Sequence, residues 1–337
     1  MTTNRLDLTR AQVLAYRRNV GALDERLPPG PESLRRAAWA GLQDSMPRAA
    51  LLSIHARVGD AGPFAWEDPS LVQLWGPRFS TYVVPAQDHW VFSLGRYPDS
   101  ARGRRVAEET AASLQAVLGD RRMRDRDVAE ALGVGNSIRY AGPTGTILIR
   151  WECARAPMIW AVPRPDVDPG AARLELARRY LHMFGPATPE AFATWAGIGA
   201  AAGRAAFGVL GEQLVAVRTP ICDAWVLDED EASFRAPIGA TAPARLLPSG
   251  DAFFLLQGPD RELLLADPRD RDRLWTSRVW PGAVLVEGDV VGTWRRAGAD
   301  LTIETFRPLQ GPERAAVEAE AASLPLPGLT LPIRVRW

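Results

Sequence analysis

The chemistry open to this chain is limited first by a residue type that it lacks. None of its 337 residues is lysine, so all 40 basic side chains are arginines. A guanidinium stays protonated and cannot act as an amine nucleophile. The sequence therefore excludes a P-loop lysine, a pyridoxal Schiff base and the lysine chemistry of lyase-type enzymes.

The histidines and cysteines give no metal-binding or disulfide pattern. His55, His89 and His182 lie far apart, and none pairs with a second ligand at a metal-site spacing such as H-x-x-x-H or C-x-x-C. We expect packing or surface roles for them, with no metal and no cofactor. Cys153 and Cys222 have no partner pattern, which predicts two free thiols in a reducing compartment.

Length and composition indicate a folded chain of several domains. A chain of 337 residues exceeds the usual ceiling for one core. No apolar run approaches the ~18 residues that span a bilayer, and the N-terminus lacks the apolar segment of a signal peptide. We expect a cytoplasmic protein that contacts no membrane. Forty basic residues balance forty acidic ones, so a surface for a polyanion must be local.

The element pattern is clearest between residues 170 and 228. Three helical segments precede two short strands, EQLVAVRT and DAWVLD. Gly185 and Pro186 end the first helix, while Thr188 caps the second and Pro189 suits its first turn. Three helices and a hairpin, with a tight turn between the last two helices, are typical of a winged helix-turn-helix module.

The same order recurs, less regularly, in two earlier parts of the chain. RVAEETAASLQAVLG and MRDRDVAEALG predict helices, and GTILIRW and MIWAVP predict strands joined by a wing, ECARAP. Nearer the N-terminus, LTRAQVLAYRRNVGAL, PESLRRAAWAGLQ and AQDHWVFSLG predict helices around the strand FSTYVVP.

Beyond residue 233 the pattern becomes β-rich. DAFFLLQ, AVLVEG, DVVGTWRR and DLTIETF predict strands, and GPERAAVEAEAASL predicts one helix. We therefore predict an α+β fold of tandem winged helix-turn-helix modules followed by a β-rich, barrel-like C-terminal domain. The expected boundaries are residues 1–97, 98–165 and 166–233 for the modules and 234–337 for the last domain.

Several segments, in this order, resemble the AlkZ-like DNA glycosylases, a family of winged-helix DNA-binding proteins. They are WAGLQDSMPRAALLSIHARV, LWGPRFSTYVVPAQDHW, FGPATPEAFATWAGI, RLLPSGDAFFLL and DRELLLADPRDRDRLW with VVGTWRR. The resemblance spans nearly the whole chain. It implies three tandem winged-helix modules curved around a concave DNA-binding face, with a barrel-like domain at the C-terminus.

The resemblance also implies a catalytic motif. GLQDSMPR aligns without gaps on the family pattern G-L-Q-x-Q-x-P-R, so Gln43 and Ser45 take the motif positions and Asp44 lies between them. Ser45 stands at the last position of the motif, where the family has Gln or Asp. In such a site carboxamide dipoles hold a water and stabilise an oxocarbenium-like sugar. Asp44 is also a catalytic candidate, because its carboxylate would provide a stronger charge than an amide dipole. Period-two residues of an extended segment share a face, so Asp44 should point away from Gln43 unless the local helix turns it inward.

A structural interpretation of the same residues stays open. Asp44 or Ser45 would cap a helix that starts near Pro47. Six arginines on predicted helices and wings are candidates for phosphate contacts or for solvated surface positions: Arg48, Arg57, Arg78, Arg139, Arg150 and Arg155.

Six tryptophans are candidates for base stacking or for the core: Trp75, Trp90, Trp195, Trp275, Trp280 and Trp294.

We expect the partner to be double-stranded DNA, alkylated if the protein is an enzyme, and we expect a monomer. Two functions stand: a monofunctional glycosylase for alkylated purines, and a non-catalytic DNA-binding protein that acts as a regulator or a lesion binder. The zero net charge leaves open a third, in which the concave face binds something else.

Overall fold

The computed structural model describes residues 5–152, 155–329 and 331–337. It has an α+β fold in which helices surround three separate sheets. Most helices and strands lie where the sequence pattern predicts them, and the exceptions arise where distant segments pair or pack.

The N-terminal part, residues 5–94, contains four helices and four strands. Helix α1 carries a capping box in which the Thr9 side chain accepts from Gln12 N. The predicted helix PESLRRAAWAGLQ is shorter than expected, because Gln43 lies on a strand. The elements are β1 (Leu6–Asp7), α1 (Arg10–Val20), α2 (Pro31–Ala37), β2 (Leu42–Gln43), α3 (Ala49–Arg57), β3 (Leu71–Trp75), β4 (Thr81–Pro85) and α4 (His89–Leu94).

The next part confirms the two predicted helices and the two predicted strands. Its elements are α5 (Ala101–Leu118), β5 (Met123–Arg124), α6 (Asp125–Leu132), β6 (Ile147–Arg150) and β7 (Met158–Ala161). Strands from this part and the N-terminal part form one six-stranded sheet in the order β2-β4-β3-β6-β7-β5. All pairings in that sheet are antiparallel.

Residues 169–235 fold as three helices, an antiparallel hairpin and a short fourth helix. The Thr188 side chain accepts from Ala191 N and Pro189 occupies the first turn, as predicted. The N-terminal strand β1 pairs in parallel with the first hairpin strand, so the two parts share a sheet. The elements are α7 (Pro169–Phe184), α8 (Pro189–Ala196), α9 (Ala200–Leu210), β8 (Leu214–Arg218), β9 (Asp223–Leu227) and α10 (Glu231–Arg235).

The C-terminal part is a five-stranded sheet with three helices. The sheet runs β10-β11-β12-β13-β14 and is open, so in the described residues the barrel-like expectation is not met. Glu287 and Gly288 form the turn between two antiparallel strands. The elements are β10 (Ala244–Leu247), α11 (Asp260–Leu264), α12 (Pro268–Leu274), β11 (Gly282–Val286), β12 (Asp289–Ala297), β13 (Asp300–Thr305), α13 (Gly311–Ala322) and β14 (Arg334–Arg336).

The predicted strand DAFFLLQ is wrong, and Asp251 explains why. Its carboxylate accepts from Phe253 N, and its carbonyl accepts from the backbone N–H groups of Phe254 and Leu255. These local bonds fold the segment into successive turns, and its apolar side chains enter the largest core cluster. That cluster also includes residues from α1, β4, α7 and β11, so one core connects distant parts of the chain.

Candidate active site and nucleic-acid interface

Gln43 lies at the end of the short strand β2, where it pairs with Tyr82 of β4. Its side chain is half-buried. The amide oxygen Oε1 lies 3.5 Å from Arg78 Nη2 and 3.5 Å from the Tyr82 hydroxyl, and both groups can donate to it. These distances are at the outer limit of a hydrogen bond. The contacts therefore orient the carboxamide and leave its oxygen able to accept from a water.

The turn that carries Arg78 has an unusual backbone. Arg78 and Phe79 have φ values of 55° and 57°, in the left-handed region that costs a side-chain-bearing residue energy. The turn is closed by Gly76 N donating to Ser80 O. Gly197 packs on it so closely that an added Cβ would lie 3.0 Å from Arg78 N. The turn after α8 thus holds the backbone of Arg78 in place beside Gln43.

Gly250 covers the other side of the Gln43 amide. Its φ is +77°, and an added Cβ would lie 3.3 Å from Gln43 Cδ. The next residue, Asp251, forms a bidentate ion pair with Arg57, in which the Nη1–Oδ2 and Nη2–Oδ1 distances are both 2.7 Å. Ser53 Oγ donates to the same carboxylate at 2.6 Å. These bonds anchor the Gly250 segment to α3.

The assignment of Arg57 to DNA phosphates is therefore wrong. Its side chain is 2% exposed and its terminal nitrogens already donate to Asp251 and to Ser53 O. A phosphate could reach the guanidinium only if the core opened and a buried carboxylate gave up its cation. Arg57 supports the site from inside the protein.

Asp44 points away from Gln43, as the alternation of an extended segment predicts. Its carboxylate is buried, accepting from Ala50 N at 3.0 Å and from Gln73 Nε2 at 2.6 Å. This bond to Ala50 places the Asp44 carboxylate at the first turn of α3, which begins at Ala49. The N-cap residue of that helix is Arg48, so the expected helix start near Pro47 with Asp44 or Ser45 as its cap is not found. Burial raises the pKa of Asp44 to about 6, against the two hydrogen bonds that lower it.

Ser45 and Arg48 complete the approach to α3. The Ser45 hydroxyl is enclosed and has no hydrogen-bond partner among the described residues. Arg48 takes a left-handed backbone with a φ of 63°, and its guanidinium lies 5.0 Å from the centre of the Trp66 ring. Arg150 approaches the same ring to 4.0 Å and forms an ion pair with Glu67 at 2.8 Å.

Arg150 and Arg155 also line a cleft of about 630 Å³ beside the β6–β7 hairpin. Arg124 and Arg126, which the sequence analysis missed, line it as well. They come from the strand and helix that precede this hairpin along the chain, so only the pairing of β5 with β7 reveals their place. The lining contains four guanidinium groups and one carboxylate, that of Glu152. Arg124 and Arg126 also lie 3.2 and 3.3 Å from the Asp127 carboxylate. An anion such as a phosphate therefore competes with these carboxylates for the guanidinium groups of the cleft.

Arg139 belongs to a separate exposed patch. It is exposed, and its neighbour Tyr140 packs edge-on against Phe79, with 5.4 Å between the ring centres. Phe79 is the residue after Arg78, so this patch adjoins the turn that reaches Gln43. The contact between Phe79 and Tyr140 thus connects the chain segments that carry Arg78 and Arg139.

The predicted aromatic candidates are mostly structural. Trp75, Trp195, Trp275 and Trp294 are buried, which confirms the core interpretation for these four. Trp90 and Trp280 are partly buried against the same core.

Each of the three histidines contacts a polar group of the protein. His55 contacts Ser323, His89 Nδ1 contacts Ala86 O, and His182 Nδ1 contacts Asp230. Across the described residues, no group of three or more His, Cys, Asp or Glu side chains could hold a metal ion.

Cys222 is a free thiol whose pKa is raised by burial, and Cys153 lies outside the described residues. No helix in the described part of the chain is long and apolar enough to cross a membrane.

Comparison with known proteins identifies the family. The sequence matches the family described as DNA glycosylase AlkZ-like over residues 36–325. The chain belongs to the AlkZ-like DNA glycosylase family. Those residues include Gln43, Arg78 and Gly250, so the AlkZ-like region contains the whole arrangement around the amide.

One sequence and one solved structure, both from Streptomyces sahachiroi, are similar to this AlkZ-like chain. The interstrand DNA cross-link repair glycosylase is 30% identical over 195 residues, which make up 56% of this chain and 48% of that protein. The match therefore spans about half the length of this relative. The structure of the DNA glycosylase AlkZ has a TM-score of 0.78 at 20% identity, covering 98% of this chain and 100% of that one. This likeness shows a shared fold.

Proposed function

We propose that this AlkZ-like protein is a monofunctional DNA glycosylase that removes alkylated purines. The observation that carries the proposal is the placement of the Gln43 carboxamide, which is half-buried and oriented by Arg78, Tyr82 and Gly250. The printed name of the Streptomyces relative, a DNA cross-link repair glycosylase, supports DNA as the substrate. The lack of lysine restricts the chemistry to hydrolysis, because no lysine amine can attack the sugar.

The reaction needs little acid catalysis. Alkylation places a positive charge on the purine ring, so the C1′–N bond breaks with its electron pair moving to the ring and neutralising it. The sugar then resembles an oxocarbenium ion, and a water oxygen bonds to C1′ while its proton passes to solvent. The Gln43 oxygen stabilises the developing positive charge and accepts from the attacking water.

Asp44 and Ser45 have supporting roles in this proposal. Asp44 fixes the backbone of the motif by tying β2 to the start of α3 and to Gln73. An enclosed hydroxyl without a protein partner is the kind of group that an ordered water satisfies. We therefore propose that Ser45, two positions after Gln43, holds such a water.

We assign DNA binding to arginines that are exposed, partly exposed or line the cleft of the β6–β7 hairpin, and not to the buried Arg57. These are Arg48, Arg78, Arg124, Arg126, Arg139, Arg150 and Arg155. The three-helix and hairpin order of residues 169–227 supports the winged-helix interpretation of the third module. The expected boundary at 233 falls inside α10, and the expected boundary at 97 divides parts that share one six-stranded sheet. We propose that the modules present these arginines to one duplex, bound by a monomer.

Gln43→Ala tests the catalytic assignment. We expect base release from a duplex containing N7-methylguanine to fall about 10²- to 10³-fold, because the variant removes a positioned dipole that acts in the transition state. Duplex affinity should stay nearly unchanged. Gln115→Ala, at an exposed position of α5, is the matched control and should release base at the wild-type rate.

The second candidate function is a non-catalytic DNA-binding protein. The enclosed Ser45 hydroxyl favours it, because the second dipole of the family motif is missing and its replacement does not face solvent. Under this alternative the wild-type protein binds duplex DNA but releases no base from any alkylated duplex, and Ser45→Gln does not restore release. Unchanged release in Gln43→Ala would contradict the role of Gln43.

A further inference from the structure

A second cleft, of about 280 Å³, lies beside the Gln43 motif. One wall comes from Met46 and Pro47, which follow the motif directly, and another from Pro248 and Ser249. The remaining wall belongs to the C-terminal sheet and the segment before it. Ser249 precedes Gly250, whose Cβ position is 3.3 Å from Gln43 Cδ, so both chain segments that flank the cleft lead directly to the candidate catalytic amide.

The C-terminal wall is aromatic and firmly held. Trp294 donates from Nε1 to Leu247 O at 2.9 Å, which fixes the plane of its ring. Gly282 packs against this ring so closely that an added Cβ would lie 2.3 Å from Trp294 Nε1. Trp280, which is partly exposed, also lines the cleft, and the Arg261 guanidinium lies 5.3 Å from its ring centre. The partly exposed Trp280 indole and the proline rings give the cleft flat, apolar surfaces, while the Trp294 ring, which is 6% exposed, supports them from the core.

The rim of the cleft is cationic. Arg295 and Arg296 are exposed, and their guanidinium groups bond only to carbonyl oxygens, of Val279 at 2.8 Å and of Gly298 at 2.7 Å. Neither has a carboxylate within ion-pair distance among the described residues. Their charges are therefore available to phosphate groups at the mouth of the cleft.

We propose that this cleft binds one unstacked nucleobase of the DNA strand, with Arg295 and Arg296 contacting its flanking phosphates. The inference rests on the proposed function, because it takes DNA as the substrate. An apolar cleft with aromatic walls and a cationic rim matches the flat face of a base and the charge of its backbone. The volume is at the lower end of small-molecule sites, which suits a single base.

The test compares two duplexes bound by the full-length protein at one salt concentration. One duplex is fully paired, and the other contains a single unpaired adenine in the same sequence. We expect the wild-type protein to bind the second duplex about 5- to 100-fold more tightly, the range that one stacked base supplies. Trp280→Ala should reduce this preference to nearly 1 and leave affinity for the paired duplex nearly unchanged.

A second variant separates base binding from the packing of Trp280. Ser249→Phe fills the cleft from its edge without removing a core side chain, and it should also abolish the preference. Trp90→Ala removes a partly buried tryptophan that does not line the cleft, and it should keep the preference.

Equal binding of the two duplexes by the wild-type protein would overturn the inference, and so would a preference that survives Ser249→Phe. Failure of the proposed function gives a different result. If no alkylated base is released but the cleft-dependent preference persists, the glycosylase assignment fails and the base site stands. If neither duplex binds even at low salt, both are wrong.

Discussion

Arg57 and Asp251 show how a single buried ion pair supports a site from the interior. The pair joins α3, which follows the Gln43 motif, to the segment whose Gly250 packs on the Gln43 amide. The sequence could not reveal it, because the partners are 194 positions apart and an arginine on a helix has the same local pattern whether it faces DNA or the core. Burial is decided by packing that the local sequence does not encode.

Arg57→Met should lower the free energy of unfolding by about 3 to 5 kcal/mol, because it leaves the Asp251 carboxylate buried without its cation. Urea unfolding measures this decrease. Arg57→Met combined with Asp251→Asn removes both charges but keeps a side-chain acceptor for Phe253 N, and it should recover part of the stability. Arg57→Met that unfolds like the wild type would contradict the buried pair.

The residues around Gln43 show which part of the site is local. Alternation along an extended segment predicted that Asp44 points away from Gln43, and the two hydrogen bonds of its carboxylate agree. The contacts of Gln43 with Tyr82 and Gly250 depend on strand pairing and on a segment about 200 residues later in the chain. Only the glycine in the run PSGD is a sequence signal there, as a turn residue.

At the scale of elements, the hairpins were easier to predict than the helix ends. Alternation and turn residues marked β6 with β7, β8 with β9 and β11 with β12. The predicted helix over residues 31–43 ends at Ala37 because the chain then turns to pair β2 with β4. Long-range pairing thus overrides a helical pattern.

The β6–β7 hairpin and the start of α6 make one cationic cleft, and its function can be tested by charge removal. Arg126→Ala combined with Arg155→Ala should weaken duplex binding and reduce the slope of log affinity against log salt by about 0.9 for each phosphate that the variant no longer neutralises. Arg314→Ala, at an exposed position of α13, is the matched control. A salt slope equal to that of the wild type would exclude this cleft from the DNA interface.

At the scale of the whole molecule, distant ends of the chain are tied together. Strand β1 pairs with β8, and α3 contacts the C-terminal helix α13 through polar groups. His55 Nε2 lies 3.0 Å from Ser323 Oγ, while Arg26 forms an ion pair with Glu320 at 2.7 Å. The two ends of the sequence therefore depend on each other for stability, although nothing in either segment alone predicts the contact.

The contact of the buried His55 with Ser323 predicts how stability depends on pH. Burial, together with Arg26 and Arg245, lowers the pKa of His55 from 6.5 to about 4. The unfolded chain therefore takes up a proton at higher pH than the folded protein, and the contribution of neutral His55 is present above pH 6.5 and disappears as the pH falls towards 4. Between pH 7 and pH 5, protonation of His55 in the unfolded chain should lower the free energy of unfolding by about 2 kcal/mol.

His55→Gln isolates that contribution, because glutamine can still donate to Ser323 but does not titrate. Asp44 acts in the opposite direction, since its pKa is raised to about 6 and its protonation stabilises the fold as the pH falls. Asp44 is present in both proteins, so its effect cancels in the comparison. Urea unfolding at pH 7 and pH 5 should show that the free energy of unfolding falls about 2 kcal/mol further in the wild type than in His55→Gln. Equal changes in the two proteins would mean that His55 is not held neutral at the contact between α3 and α13.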